Sequence, residues 1–329
     1  MTSASTTALV TGGAGFIGSH LVDALIARDW DVIAIDDLST GNVRNIRHLL
    51  DNRRFRFVEG SVLDAELVDR LSAGSDVVFH LAAAVGVQLI VDRPLQSMLT
   101  NIRGTEVVLE AAERYRAKTI VASTSEIYGK SQNGPFKEED DRLLGSPRKL
   151  RWSYSTSKAV DEILAYCYYK ERGLPTVVIR LFNTVGPRQT GHYGMVVPRF
   201  IGQALRAEPL TVYGDGNQSR SFTDVADVVE AMVRLADEPK AEGDVFNIAS
   251  SNEITVQGLA EKIIAKTGSG SSIVHVPYEK VYGDGFEDLP RRSADTTKLA
   301  SVIGYRPSTD LDATLDRMIE YAQEALSTL

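Results

Sequence analysis

Tyr154 and Lys158 stand four residues apart in the run Tyr154-Ser155-Thr156-Ser157-Lys158. On a helix that spacing puts both side chains on one face. A free tyrosine titrates near ~10 and is a poor base at neutral pH. A nearby ammonium, and a positive nicotinamide, would lower it, so the tyrosine could take the proton of a hydroxyl while a hydride leaves the same carbon. The spacing alone is weak, because Tyr166 and Lys170 repeat it. Context separates the two. Tyr154 and Lys158 open a predicted helix, 154–172, just after the irregular stretch Asp140 to Trp152. A strand leaving through Ser123-Thr124-Ser125-Glu126 precedes them. Tyr166 and Lys170 lie about three turns further on, in the cluster Tyr166-Cys167-Tyr168-Tyr169, and read as packing or subunit contacts.

A hydride needs an acceptor, and the N-terminal loop is built for one. The strand Ala8 to Thr11 runs into Gly12-Gly13-Ala14-Gly15-Phe16-Ile17-Gly18 and then a helix. Glycines at 12, 15 and 18 permit the tight turn and the close approach of a pyrophosphate, which the helix N-terminus attracts. The strand–loop–helix context is what separates a dinucleotide loop from a chance glycine triplet. Asp36 ends the next strand, where a carboxylate bonds the ribose hydroxyls of NAD and repels a 2′-phosphate. Asp37 competes with it for that role.

Six strands, near 8–11, 32–35, 55–58, 76–81, 119–122 and 176–181, alternate with helices near 16–28, 65–71, 95–117 and 154–172. Continuous apolar strands of this kind imply a parallel sheet covered on both faces. The fold class is therefore α/β, a doubly wound sheet. After about residue 183 glycine and proline become denser, as at Gly186-Pro187, Gly191, Gly214-Asp215-Gly216, Gly283, Gly285 and Pro290. Leu210 to Tyr213 reads as a strand of a smaller, interleaved lobe, and Val245 to Ile248 as a return to the main sheet. The predicted division is 1–182, rejoined by about 222–250, for the cofactor, and 183–221 with 251–329 for the substrate.

The whole chain has 329 residues and a formal charge of −8, enough length for a sizeable core. The acidic excess argues against a surface for nucleic acid. A single cysteine, Cys167, closes no intrachain disulfide and builds no cysteine zinc site, and no metal is expected. Met1 to Thr7 carries no basic or apolar leader pattern, and no run approaches ~18 apolar residues, so a membrane span is not expected. The expected compartment is the cytoplasm.

The motifs taken together resemble the extended short-chain dehydrogenase/reductases that act on nucleotide sugars as epimerases, dehydratases and decarboxylases. They are Thr11 to His20, His80-Leu81-Ala82-Ala83, Thr100-Asn101, Ser123 to Gly129, Tyr154 to Lys158, Phe182-Asn183, Gly186-Pro187-Arg188, Pro209 to Gly214 and Arg220 to Val225. The resemblance implies an N-terminal Rossmann domain, a tightly bound and recycled NAD, and a lobe that holds a nucleotide diphosphate. It makes Thr124, Tyr154 and Lys158 the catalytic triad. It places the cofactor against Gly12, Gly15, Phe16, Ile17, Gly18, Asp36, Asp37, Ser61, Val62, Leu81, Ala82, Ala83, Asn101, Tyr154 and Lys158. Substrate contacts are implied for Val85, Gly86, Ser125, Asn183, Arg188, Val197, Thr211, Tyr213, Arg220 and Arg292. One departure is Ser61, which stands where the family carries an acidic contact to adenine.

Glu126 sharpens the reading. Plain 4-epimerases of this kind carry a small residue there. A glutamate is similar to UDP-glucuronate decarboxylases and to GDP-mannose 4,6-dehydratases, where it would act as base at C5. Leu143-Leu144-Gly145 and Arg151-Trp152, before Tyr154, resemble the decarboxylase of the bacterial lipid A aminoarabinose pathway, and Arg292 sits where that group has a functional arginine. The resemblance thus implies a UDP-sugar substrate, with UDP-glucuronate decarboxylation first, acting through transient oxidation at C4. Glu126 and Arg292 would position the acid group or manage the proton at C5. The alternatives are 4-epimerisation, 4,6-dehydration and, from a different class, a silent NAD-sensing protein. A homodimer is implied, pairing helices 95–117 and 154–172, with Tyr168 and Tyr169 at the contact. The loop Ala84 to Leu89 matches no subgroup.

Overall fold

The computed structural model describes residues 5–86, 92–131, 134–191, 194–251, 253–282 and 291–327. Val87-Gln88-Leu89 of the substrate loop, Gly283, Gly285 and Pro290, and Met1 to Ala4 lie outside the described residues.

Through residue 181 the chain runs β1 (Thr7–Thr11), α1 (Phe16–Ile26), β2 (Asp31–Asp36), β3 (Phe55–Glu59), α2 (Ala65–Ser72), β4 (Val77–His80), α3 (Pro94–Tyr115), β5 (Lys118–Thr124), α4 (Ser153–Arg172) and β6 (Thr176–Leu181). It continues as β7 (Thr184–Val185), α5 (Val196–Leu205), β8 (Leu210–Tyr213), β9 (Ser219–Ser221), β10 (Thr223–Asp224), α6 (Val225–Asp237) and β11 (Asp244–Ile248). The last elements are β12 (Glu253–Thr255), α7 (Val256–Thr267), β13 (Ile273–Val276), α8 (Tyr278–Tyr282), β14 (Arg291–Arg292), α9 (Thr297–Ile303) and α10 (Leu311–Ser327).

Seven strands form one sheet in the order β11-β6-β5-β4-β1-β2-β3, and every pairing is parallel. This is the doubly wound arrangement, and the strand order reverses between β1 and β4. Side chains alternate across the sheet. Ala8, Val10, Phe79, Ile120 and Ile179 pack with α1 and α6 on one face. Leu9, Val78, Val121 and Val178 pack with α2, α3 and α4 on the other. Both faces are buried, which is why the strands read as unbroken apolar runs. Val245 to Ile248 joins the sheet beside β6 as β11, as expected. Leu210 to Tyr213 pairs with β13 in a separate two-stranded sheet. A third apolar cluster gathers α5, α7 and α10 around Phe200, Leu259 and Leu315.

Two helices stop earlier than their periodicity predicts. The helix predicted over 16–28 ends at Ile26, where Asp29 takes φ 61° and Trp30 N–H bonds the Leu25 carbonyl. The helix predicted over 95–117 ends at Tyr115, with Arg116 at φ 59° and Ala117 N–H on the Ala112 carbonyl. Both are left-handed stops of the kind glycine usually provides. Among the described residues, no helix is long and apolar enough to cross a membrane.

Candidate active site

The C-terminal ends of β1, β2, β4, β5 and β6 open onto a cleft of about 890 Å³. That edge, next to the strand-order reversal, is where doubly wound sheets bind ligands.

The glycine loop forms its floor. Gly12 turns at φ 72°, and a Cβ there would lie 2.9 Å from the Ala82 nitrogen. A Cβ on Gly18 would lie 2.0 Å from the Gly12 carbonyl oxygen, so α1 can seat against β1 only without a side chain. No side chain caps α1, and no acidic residue occupies its first turn. Its first N–H groups therefore face the cleft without intrahelical partners. Asp36 is buried and accepts hydrogen bonds from Ala14 N–H at 3.0 Å and Leu38 N–H at 2.9 Å. Burial pushes its carboxyl up, and those two amides oppose the shift. Asp37 is exposed and accepts from Ser39, so Asp36 is the carboxylate fixed at the β2 end, although both line the cleft. Thr11 Oγ1 accepts the N–H groups of Leu81 and Ala82, each at 3.1 Å, which draws the 81–83 segment against the loop. An uncapped helix start, a cradle with no room for a Cβ and a ribose-height carboxylate fit a dinucleotide.

Ser61 is not part of that wall. Its hydroxyl accepts Leu63 N–H at 3.3 Å, and Val62 lines the cleft instead. Asn101 lies one layer behind, accepting Ala84 N–H at 2.8 Å and donating to Ser157 Oγ at 3.2 Å. It anchors the segment that carries Val85 and Gly86, both of which line the cleft.

Thr124, Ser125, Glu126, Tyr154 and Lys158 meet at the centre of the cleft. Thr124 ends β5, and its hydroxyl caps the 125–128 turn by accepting Glu126 N–H at 3.2 Å. Tyr154 is 8% exposed and hydrogen-bonded to Thr124. Burial and the carboxylates of Glu126 and Asp161 push its phenol up, and the hydrogen bond from Thr124 opposes the shift. Lys158 Nζ lies 2.6 Å from Asp161 Oδ2, so in the chain by itself the carboxylate offsets the ammonium that is expected, together with a positive nicotinamide, to lower Tyr154.

Glu126 sits between two arginines. Arg151 grips both of its oxygens, with Nη2 at 2.9 Å from Oε1 and Nη1 on Oε2, and Arg292 Nη1 lies 3.5 Å from Oε1. Burial raises this carboxyl, but the two guanidiniums win and hold it at about 2. Glu126 is thus ionised at neutral pH, the form that can anchor the two guanidiniums or accept a proton, so both expected roles, positioning an acid group and serving as base at C5, remain open to it. Arg151, Arg292 and Glu126 together carry one net positive charge in the wall beside Tyr154.

On the far wall, Asn183, Val197, Tyr213 and Arg220 line the cleft as expected. Asn183 takes φ 26° and donates to the Ser221 carbonyl at 3.0 Å. Two expected contacts fall elsewhere. Arg188 pairs with Asp23 of α1 at 2.8 Å and does not line the cleft. Thr211 is one layer back, accepting from Arg199 at 3.1 Å. Arg199 itself stacks on Tyr213 at 3.8 Å and lines the cleft.

Asp161 and Arg199 have no place among the expected residues, and Arg151 stands there only as part of a motif, without a role. Arg151 precedes Tyr154 by one turn, and Asp161 follows Lys158 at i+3, so helical spacing could have found both. The Tyr166 and Lys170 pair lies away from the cleft, with Lys170 Nζ 5.5 Å from the centre of the half-exposed Tyr166 ring. Tyr168 packs against its own core cluster. Among the described residues, no group of three His, Cys, Asp or Glu could hold a metal ion.

Known proteins share this architecture. UDP-N-acetyl-alpha-D-glucosaminuronate decarboxylase of Bacillus cytotoxicus is 43% identical over 317 residues, covering 96% of this chain and 97% of that protein. UDP-glucuronic acid decarboxylase 1 of Arabidopsis thaliana is 35% identical over 311 residues, 94% of this chain and 68% of its own. The crystal structure of UDP-glucuronic acid 4-epimerase from Bacillus cereus, in complex with UDP-glucuronic acid and NAD, superposes with a TM-score of 0.88 at 30% identity, covering 97% of this chain and 100% of that one. A family model described as GDP-mannose 4,6 dehydratase matches residues 9–318, loop, catalytic helix and lobe alike, and the chain belongs to that family.

Proposed function

We propose that this protein is an NAD-dependent decarboxylase of UDP-linked hexuronates, acting by transient oxidation at C4. The observation that carries the reading is the Glu126–Arg151–Arg292 cluster beside Tyr154. Both guanidiniums line the cleft beside Tyr154, and Arg is the side chain suited to bidentate carboxylate recognition. The likeness to the two decarboxylases supports it, and the 43% relative makes the 2-acetamido hexuronate the first substrate to try.

The glycine loop and Asp36 would hold NAD, which would supply a reversible hydride acceptor for the sugar, so that no net redox change accompanies the reaction. Tyr154, in its phenolate form, would take the C4 hydroxyl proton, with its hydrogen bond to Thr124 orienting the ring oxygen. Oxidation at C4 makes a ketone β to the C6 carboxylate, so the C5–C6 bond can break with its electrons moving into that ketone. Thr124 and Tyr154 then hydrogen-bond the developing oxyanion. C5 takes a proton from water, which restores the C4 ketone. The hydride's return to C4 is matched by the proton that Tyr154 gives back to the C4 oxygen. Arg151 and Arg292 hold the carboxylate until CO2 leaves. Asn183, Tyr213, Arg199 and Arg220 form the wall for the nucleotide diphosphate, with Arg220 on a phosphate. We assign residues 1–182 and about 222–250 to the cofactor, and 183–221 with 251–329 to the nucleotide sugar. Leu95 at 72%, Ile163 at 59% and Tyr166 at 51% exposure, on α3 and α4, support pairing of those helices in a homodimer.

A second reading, 4-epimerisation of the same substrate, is favoured by the likeness to the hexuronate epimerase. The two part in the product. The purified protein is incubated with UDP-N-acetylglucosaminuronic acid and UDP-glucuronic acid, and the products are weighed by mass spectrometry. Loss of one CO2 supports decarboxylation. An isomer of unchanged mass supports epimerisation, and loss of water from a neutral nucleotide hexose would replace both.

A further inference from the structure

Asp161 belongs to no expected site residue, yet it is fully buried against the catalytic helix face. It follows Tyr154 at i+7 and Lys158 at i+3, so the three share one side of α4. Lys158 is also buried, and its Nζ lies 2.6 Å from Asp161 Oδ2. A buried carboxylate or ammonium left without its partner is costly, so each holds the other in place.

Among the described residues, the surroundings supply no substitute counter-ion. From β4, His80 faces Lys158. Thr11 Oγ1 already accepts two backbone N–H groups, so its own hydrogen goes to His80 Nδ1 at 2.9 Å. His80 Nε2–H then donates to Thr105 Oγ1 at 3.0 Å, and the Thr105 hydroxyl of α3 is left to turn toward Asp161. Burial, with Lys158 adding to it, lowers His80 to about 3, so the ring is neutral. Glu162, next on α4, is engaged by Arg180 of β6 at 2.8 Å. Around Tyr154 the remaining charges are Glu126, after β5, with its Arg151 and Arg292.

We infer that Asp161 is a positioning residue, which fixes the Lys158 ammonium on the inner face of α4 and offsets its charge at Tyr154. The inference rests on Tyr154 and Lys158 being the catalytic pair. It makes the proton affinity of Tyr154 a quantity set by a residue that touches neither substrate nor cofactor.

The test uses the NAD-loaded full chain carrying 13C at the tyrosine ζ carbon. NMR follows its ring signals from about pH 6 to about pH 12, with Tyr154→Phe identifying the Tyr154 signal and a wild type still protonated at the upper end setting a lower bound on its position. In Asp161→Asn, Tyr154 should ionise at least about one pH unit below its wild-type position, a tenfold loss of proton affinity. Asp161→Glu should bring it back toward wild type. The ascending limb of kcat/KM should move the same way. If the Asn protein does not fold, Asp161→Ser is measured in its place. A Tyr154 signal that titrates as in wild type, or higher, overturns the inference. If wild type turns over no UDP-hexuronate, the proposed function fails, while the tyrosine titration still decides the role of Asp161.

Discussion

Replacing Glu126 with glutamine removes one charge and little volume, and Gln imitates the protonated acid. In the native protein this carboxyl is held at about 2, against a reference of 4.5, chiefly by Arg151 and then Arg292. The side chain is 14% exposed, so solvent screens the pair little. At about 1.4 kcal/mol per pH unit, the depressed value corresponds to roughly 3 kcal/mol of folding free energy at neutral pH. The folded value lies below the unfolded one. The contribution is therefore present above the unfolded value and is lost as pH falls from about 4.5 through about 2. Urea unfolding of wild type and Glu126→Gln isolates it, because other carboxylates titrate alike in both. The gap should be about 3 kcal/mol at pH 7, and should shrink by about 1 at pH 4 and about 2 at pH 3. A gap that stays constant across that range would refute the electrostatic account of the cluster.

Three further outcomes follow from single positions. Gly18→Ala puts a Cβ 2.0 Å from the Gly12 carbonyl; it should cost roughly 1–3 kcal/mol of stability and release NAD on purification, read by calorimetry and by the absorbance of the released cofactor. Asp36→Ala removes the carboxylate that repels a 2′-phosphate, so the preference for NAD over NADP in binding titrations should fall about tenfold or more. Arg151→Met removes a charged hydrogen-bond donor worth ~1.5–3 kcal/mol. It should raise KM for a UDP-hexuronate by roughly 10- to 100-fold and leave binding of a neutral UDP-hexose nearly unchanged. Equal losses for both ligands would deny Arg151 its role.

The half of the chain up to β6 was legible because physics there is local. Strands buried on both faces give continuous apolar runs, and the glycine loop announces the first βα turn. The misplaced helix ends have one cause: Asp29 and Arg116 take left-handed stops without the glycine that marks them. The later half was harder. Its strands are short, such as β7, β9, β10 and β14, and they pair across long separations, as Ser219–Ser221 does with Glu253–Thr255. No periodicity announces such pairings. At the site, residue types at motif positions were readable, but partners were not. Glu126 was visible, while the arginine that grips it comes from a 3₁₀ turn 25 residues on. Arg188 was expected on the substrate from its motif, and its pairing with Asp23 depends on how α1 docks.

The central claim is that oxidation at C4, begun by Tyr154, drives loss of the C6 carboxylate from a substrate held by Arg151 and Arg292. A UDP-hexuronate carrying deuterium at C4 tests it in one reaction. The product should have lost one CO2, kept its deuterium at C4 and formed with a primary isotope effect. With Tyr154→Phe, kcat should be lower by about 10²–10⁴. A product that keeps its carboxylate, deuterium lost to solvent, or turnover by Tyr154→Phe at the wild-type rate would contradict it.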